Sequence, residues 1–171
     1  VIQRKRPPCG FVQRTPRGRV AFYAAAQEAL AGLPGVESAS LARRVPLALG
    51  GTSSSGFQVE GYTPRDDDPA QIYTNVVGAS YLKTIGIPLR AGRVVDASDG
   101  ANTPRVVVIN DTMARKYWPG ASPLGRRVSF ARAAREEDWM TVIGVVADTK
   151  QFALNEPVDI EMFAAHTQEA N

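Results

Sequence analysis

Short apolar runs alternate with polar, glycine-rich and proline-rich stretches along this chain. The first periodic stretch begins at Gly18, after an arm without periodicity over residues 1–17. Five residues recur there at steps of three and four, with alanines in the gaps: Val20, Tyr23, Ala24, Gln27 and Leu30. This spacing predicts an amphipathic helix, which ends at the turn over residues 32–35. We expect the arm that precedes it to be poorly ordered.

The strongest signal lies in the middle of the chain, where a β-branched run is followed by helix signals. Residues 106–109 read Val-Val-Val-Ile, which is typical of a buried strand. Asn110 can cap a helix by accepting a backbone N–H of the first turn, and Asp111 suits the positive end of the helix dipole. Pro119 and Gly120 end that helix. This stretch predicts a buried strand followed by a short helix. It contains no nucleophile–base pair and no set of metal ligands.

The remaining elements complete an α+β pattern. Further strands are predicted over residues 36–45, 57–60, 71–77, 126–130, 139–147 and 159–164, and a short helix capped by Ser80 or its predecessor over 79–85. Loops or turns are predicted over residues 46–56, 61–69, 96–104, 131–138 and 148–155, and an extended connection over 87–93. Few strands are separated by a full crossover helix. We therefore expect an α+β domain with mixed or antiparallel sheets, split into two lobes.

Composition supports a folded domain and confines the basic character to one end. Of the 171 residues 44% are hydrophobic, so a core can form and wholesale disorder is not expected. The net charge is +3, but residues 1–19 hold six basic side chains and no acid, which leaves 14 basic and 17 acidic residues elsewhere. These six are Arg4, Lys5, Arg6, Arg14, Arg17 and Arg19. A solvated or juxtamembrane arm explains them better than a nucleic-acid-binding face, which would lie on folded elements.

No run in the sequence approaches the roughly 18 apolar residues of a membrane span. We therefore expect a soluble segment, either as a protein of its own or as a soluble piece of a membrane protein.

Residues with reactive or metal-binding side chains are scattered. Cys9, the one cysteine, lies in the arm, and His166, the one histidine, lies near the other end. Runs of acids at 66–68 and 136–138 lack the alternate spacing of a calcium loop. The other enzyme candidates are Ser80, Asp111, Asp148 and Glu156. They form no evident nucleophile, acid and base set, so we predict no catalytic, cofactor-binding or metal-binding residue.

Other conspicuous features are assigned ordinary roles. The glycine- and serine-rich stretch at 50–56 precedes a strand and lacks the spacing of a phosphate-binding loop, so it is interpreted as a surface loop. Tyr117 and Trp118 are expected to seal an edge of the core. Arg93 and Arg115 are expected to pair with acids or to cap carbonyl groups.

Three blocks of the sequence stand out when they are taken together. They are residues 76–93, residues 106–127 with Tyr-Trp-Pro-Gly at 117–120, and residues 141–148, which read Thr-Val-Ile-Gly-Val-Val-Ala-Asp. In this order they resemble the periplasmic core domain of MacB/FtsX-type ABC transporter permeases. The Tyr-Trp-Pro-Gly version is similar to a subgroup of predicted permeases common in acidobacteria. Leu82, Ala147 and the pair Asp159-Ile160 depart from the subgroup's pattern.

The resemblance implies a division into two lobes. A porter-like βαβ lobe would be built from both chain ends, residues 18–78 and 131–165. A smaller mixed α/β lobe would be inserted between these segments, at residues 79–130. Residues 1–17 would form the basic arm and residues 166–171 a tail.

The same resemblance implies a non-catalytic extracytoplasmic domain on the periplasmic face of the inner membrane. Membrane helices on either side of the segment would link it to an ABC ATPase. By changing conformation the domain would couple ATP hydrolysis to substrate export or to a partner protein. The implied partners are a paired permease domain and a periplasmic adaptor or cell-wall hydrolase, with no nucleic acid and no cofactor. The alternatives are a freestanding ligand-binding module and a small hydrolase.

Overall fold

The computed structural model describes residues 16–47, 53–65, 68, 71–131, 134–151 and 153–169, which form three α-helices and eight strands. The helices are α1 (Pro16–Ala31), α2 (Tyr81–Thr84) and α3 (Asp111–Tyr117). The strands are β1 (Ser53–Ser55), β2 (Gln58–Val59), β3 (Gln71–Val77), β4 (Leu89–Gly92), β5 (Val106–Asn110), β6 (Arg127–Ser129), β7 (Met140–Val146) and β8 (Glu161–Ala165). Cys9 and residues 1–15 of the arm that was predicted to be poorly ordered lie outside the described residues. For residues 16 and 17 that prediction is wrong, because the helical pattern after them extends back and they form the start of α1.

All eight strands belong to one mixed sheet. Its order is β1-β3-β8-β5-β7-β6-β2, and β4 pairs with β7 on the edge that β6 also uses. At the centre, β8 runs parallel to β3 and antiparallel to β5, while β5 runs parallel to β7. The α+β class with a mixed sheet, as the sequence predicts, is confirmed.

The strand–helix unit at the centre of the chain forms as its local signals predict. All five residues of β5 are buried. Asn110 then caps α3, its Oδ1 accepting the backbone N–H of Met113 at 3.0 Å. The same side chain binds the neighbouring strand, because Oδ1 also accepts the backbone N–H of Glu161 and Nδ2 donates to the carbonyl of Asp159. A predicted helix cap is therefore also a link between β5 and β8.

Both faces of the sheet are covered by apolar side chains. Val107 and Ile109 of β5 belong to one buried cluster, which includes Met113 and Tyr117 of α3. Val108, between them in sequence, belongs to a second cluster with α2. The near-continuous apolar run of β7 is likewise divided between the two clusters, which confirms its predicted burial on both faces.

The predicted strand over residues 36–45 is wrong, since this segment meets the sheet through a single β-bridge between Ala42 and Val77 and forms no ladder. The side chain of Asn75 is the physical reason. Its Oδ1 accepts the backbone N–H of Arg44 and its Nδ2 donates to the carbonyl of Arg44, at 3.1 and 2.9 Å. A side chain thus takes the place of the backbone partner, and the pairing stops.

Two strands lie where the sequence predicts none. β1 falls within the predicted surface loop 46–56 and pairs with β3. β4 falls within the extended connection 87–93, and its approach to β7 depends on two glycines. A Cβ on Gly92 would lie 2.2 Å from the carbonyl oxygen of Ile143, and a Cβ on Gly144 would lie 2.0 Å from that of Arg93. Only glycine permits so close a contact between the two backbones.

The lobe boundaries implied by the resemblance coincide with no break in this sheet. β5 belongs to the predicted inserted segment, residues 79–130, yet it lies between β8 and β7 of the predicted porter-like segment. The division into lobes stays a prediction.

Candidate functional site

The N-terminal helix α1 contacts the sheet domain through a polar clasp. Nε2 of Gln27 donates to the carbonyl of Ala39 at 3.0 Å and to Oγ of Ser80 at 3.3 Å. Ser80 Oγ itself donates to the Ala39 carbonyl. Ser80 stands at the N-cap position of α2 but makes no capping hydrogen bond, so the predicted cap is replaced by a contact with α1. Two distant segments are joined to α1 by these bonds.

A ring contact supplements the clasp one turn away, in the middle of the helix. The ring of Tyr23 meets that of His166 edge to face, with centroids 5.6 Å apart. The backbone N–H of His166 donates to the carbonyl of Val77, which fixes the histidine to the end of β3. The one histidine of the chain therefore holds α1 against the sheet, in an arrangement that needs no catalysis.

Two open grooves flank α1. One has a volume of about 590 Å³ and is lined by residues that include Tyr23, Val45 and Ile85. The other, about 410 Å³, lies along Ala24 and Glu28. Leu30, on the same helix, is 52% exposed. A helix bounded by grooves and carrying exposed apolar side chains is only partly packed on the domain, so it can move with little loss of buried surface.

The enzyme candidates Asp111 and Asp148 come together at the carboxyl ends of β5 and β7. Asp148 accepts the backbone N–H and the hydroxyl of Thr112, at 2.8 and 2.9 Å. Arg115 lies 2.8 Å from Asp148 and 3.9 Å from Asp111, and Arg90 lies 3.5 Å from Asp111. Both acids are thus engaged in capping and ion pairing at the start of α3. The predicted pairing of Arg115 with acids is confirmed.

The other candidates lie apart from that pair. Glu156 is exposed in the segment between β7 and β8. Of the acids at 66–68 the structure describes Asp68, which pairs with Lys116 at 2.9 Å. Acceptance of the Arg65 backbone N–H, together with Lys116, holds the pKa of Asp68 below its ordinary value. The acids at 136–138 form a 3₁₀ turn that pairs with Arg127 and Arg135.

No group of three or more histidine, cysteine or acidic residues is placed to hold a metal ion within the described ranges. The absence of catalytic, cofactor and metal residues in the chain as a whole stays a prediction.

Tyr117 and Trp118 seal an edge of the core, as the sequence predicts. Both are buried, at 8% and 9% exposure. Tyr117 makes edge-to-face contacts with Phe57 and Tyr62, with centroids 5.6 and 4.9 Å apart. Arg93, also assigned a structural role, forms a bidentate pair with Asp99, with both N···O distances 2.7 Å. That guanidinium holds the pKa of Asp99 below its ordinary value although burial opposes it.

Sequence reasoning missed a buried carboxyl group. Glu161, the first residue of β8, has 0% exposure, and burial raises its pKa to about 7. The signal available in the sequence was an acid followed by an unbroken apolar run, Met162–Ala165. Charged side chains are rarely buried without a partner, so an acid inside a strand of the core marks a special environment.

Solved structures of other proteins share this architecture. The crystal structure of the periplasmic region of MacB from Actinobacillus actinomycetemcomitans superposes with a TM-score of 0.56 at 20% identity, covering 85% of this chain and 56% of that one. A domain of a putative permease protein from Porphyromonas gingivalis gives a TM-score of 0.52 at 22% identity, with the same coverages. The fold is therefore that of the periplasmic region of MacB and of this permease domain.

The chain belongs to the family of MacB-like periplasmic core domains, whose family model matches residues 2–167. A macrolide export ATP-binding/permease protein MacB from Aggregatibacter actinomycetemcomitans is 31% identical over 97 residues, 57% of this chain. The protein of the same description from Mannheimia succiniciproducens is 25% identical over 122 residues, 70% of this chain. The chain spans 14% and 17% of the lengths of these two relatives. It is thus a domain of the ABC transporter permease family, which confirms the family resemblance.

No helix within the described ranges combines the length and apolar character needed to cross a bilayer.

Proposed function

We propose that this chain is the non-catalytic extracytoplasmic domain of an inner-membrane ABC permease, and that it passes on motion produced by ATP hydrolysis. The ATPase would act through membrane helices outside this chain. The output would be substrate export or the control of a partner protein. Family membership supports the first part of this proposal, and the attachment of α1 supports the second.

The observation that carries the proposal is the small contact between α1 and the rest of the domain. A helix of 16 residues is about 24 Å long and rigid. Its described side-chain hydrogen bonds to the domain converge on Gln27, which meets both the segment after α1 and the start of α2. Together with the Tyr23–His166 contact one turn away, this attachment is confined to the stretch from Tyr23 to Gln27, and a rigid element held over so short a stretch acts as a lever, because movement of either end turns it about that stretch. Hinge motions of this kind need only a few residues to change conformation.

The test separates ATP hydrolysis from its output in the full-length transporter. Gln27→Ala combined with Ser80→Ala removes the clasp and leaves the buried sheet intact. We expect ATPase activity to stay within about twofold of wild type, while export or partner activation falls at least about fivefold. Glu28→Ala is the matched control, since Glu28 is an exposed neighbour on the same helix. Equal output from the clasp variant and the control would refute the role of the clasp.

The identity of the partner needs a second experiment. A photo-crosslinking residue at Leu124, which is 37% exposed within the predicted inserted segment, would report what lies against that surface in the full-length protein. Capture of an adaptor would support an export role, and capture of a cell-wall hydrolase would support a relay of force. Capture of a second permease domain would support the paired arrangement. If crosslinks formed at no higher level than from a residue in the buried core, this surface would not be the output site.

A further inference from the structure

The buried end of β8 holds a carboxyl group that the proposed coupling does not use. Glu161 pairs in register with Tyr73 of β3 on one side. On the other side its backbone N–H donates to Asn110 Oδ1 at 3.1 Å, at the end of β5. Its backbone is thus fixed between two central strands, and its side chain is completely enclosed. Such a group cannot escape to water unless something around it moves.

The hydrogen bonds around this carboxyl group leave one of its oxygens without a donor, which favours a proton there, although Thr149 stabilises the carboxylate at the other oxygen. Thr149 Oγ1 donates to Oε2 of Glu161 at 2.8 Å, and Gln151 Nε2 donates to Thr149 Oγ1 at 2.8 Å. Two buried oxygens of this cluster, Glu161 Oε1 and Gln151 Oε1, have no hydrogen-bond partner. A carboxylate would leave both as acceptors without donors. A proton on Glu161 supplies an O–H donor to a cluster that has a spare acceptor.

The charges that face Glu161 also favour the neutral form. The titratable groups that interact with it are Tyr73 from β3, Tyr81 from α2, and Asp148 and Asp159 from the segment between β7 and β8. Both tyrosines have raised pKa values through burial and stay uncharged. The two aspartates repel a negative charge on Glu161. Burial and this repulsion outweigh the donors Thr149 and Gln151, and the pKa of Glu161 rises.

Two members of the cluster, Thr149 and Gln151, belong to a segment that contacts several parts of the domain. We call residues 147–151 and 153–160 the β7–β8 connection. The N–H of Ala147 donates to Pro88 beside β4, and the carbonyl of Gln151 accepts the N–H of Leu47. Asp148 caps the first turn of α3 through Thr112. A displacement of this connection would therefore break or lengthen its hydrogen bonds to the residue beside β4, to α3 and to the segment that follows α1.

We propose that Glu161 is a proton-binding site that controls the β7–β8 connection. With the proton bound, the connection lies closed over β8. Loss of the proton to solvent leaves a buried carboxylate beside Asp148 and Asp159, and the connection opens because that lets water reach the charge. This device is independent of the lever role of α1. It would make the domain respond to the pH of the compartment in which it lies.

Hydrogen exchange of the 171-residue chain, followed by mass spectrometry, tests this proposal. Rates for peptides within the β7–β8 connection are measured at about pH 5.5 and about pH 8 and corrected for intrinsic chemistry. We expect the corrected rates to be at least about tenfold faster at the higher pH. Glu161→Gln, whose amide mimics the neutral acid, should keep the connection protected at both values. Glu156→Gln removes an exposed acid of the same connection and should behave as wild type.

A second variant keeps the test decisive if Glu161→Gln folds poorly. Thr149→Val removes the donor that stabilises the carboxylate. In this variant the connection should therefore open at a higher pH than in wild type. Direct observation of the Glu161 side-chain carboxyl carbon by NMR gives the titration itself. Equal corrected rates at the two pH values in wild type would overturn the proposal. Titration of the carboxyl group below about pH 5 would also overturn it, since the site would then be ionised across that range.

Discussion

Alanine at Gly144 offers a sharp test of how β4 is held to β7. The added Cβ would lie 2.0 Å from the carbonyl oxygen of Arg93, about 1.4 Å short of the 3.4 Å at which ordinary contact begins. The obstacle is backbone, which has no rotamer to change, so the two strands must separate. The hydrogen bond from the N–H of Arg93 to Ile143 then breaks or lengthens.

The expected cost follows from these contacts. Overpacking of a tight site costs about 1–3 kcal/mol, and the weakened hydrogen bond costs about 1 kcal/mol more. Replacing glycine by alanine restricts the unfolded chain, which offsets about 0.4–1 kcal/mol. We therefore expect the free energy of unfolding to fall by roughly 1–3.6 kcal/mol, the balance of these three contributions.

Urea denaturation followed by tryptophan fluorescence measures this loss in the 171-residue chain. Gly100→Ala is the matched control, because a Cβ at Gly100 meets no atom within 4 Å. That variant should lie within about 0.5 kcal/mol of wild type. If Gly144→Ala were no less stable than Gly100→Ala, the close approach of β4 and β7 would be wrong and the reasoning refuted.

Three further predictions use the same denaturation assay. Folding raises the pKa of Glu161 from 4.5 to about 7, so its proton contributes roughly 3 kcal/mol of stability below pH 4.5, and this contribution is lost as pH rises from 4.5 through 7. Glu161→Gln should lack this slope, and a parallel profile in the two proteins would contradict the assignment. Asn110→Ala removes a helix cap, a link to Glu161 of β8 and a link to Asp159 just before it, and should cost about 3 kcal/mol or more, whereas Asn102→Ala in an exposed loop should change stability by less than about 0.5 kcal/mol. Asp99→Asn should lose roughly 1 kcal/mol at neutral pH. Because Arg93 lowers the pKa of Asp99 from 3.8, the extra stability of wild type over Asp99→Asn is present above this value and should vanish as pH falls. A difference in stability between the two proteins that did not change with pH would argue against the Arg93–Asp99 pair.

Local sequence signals predicted an element correctly wherever the residues that determine it lie within the element or at its ends. β5 and α3 were predictable because a β-branched run, a capping asparagine and a Pro-Gly stop act within a dozen residues. β3, β7 and β8 were predictable because their apolar runs must be buried somewhere.

Elements that depend on a distant partner were not predictable in the same way. β1 consists of three serines and is a strand because the edge of β3 is available to it. The segment 36–45 has the pattern of a strand, but Asn75, more than 30 positions away, intercepts its hydrogen bonds at Arg44. The same holds for the candidate site. The sequence places Gln27 on the apolar stripe of a helix, and only the fold brings Ala39 and Ser80 to meet it.

The position of β8 has a consequence for how the chain reaches its folded state. Among the described strands β8 follows all others in sequence, yet it alone joins β3 to β5. While the chain is being made, β1 and β3 can form one ribbon and β5 to β7 another, each with an apolar inner edge that lacks its neighbour. Unpaired edges of this kind invite association between molecules. Closure waits for residues 161–165, and pairing over such separations in sequence is slow. A nascent chain stalled before β8 should therefore aggregate as two incomplete ribbons, and a chaperone bound during synthesis or export would protect it at that stage.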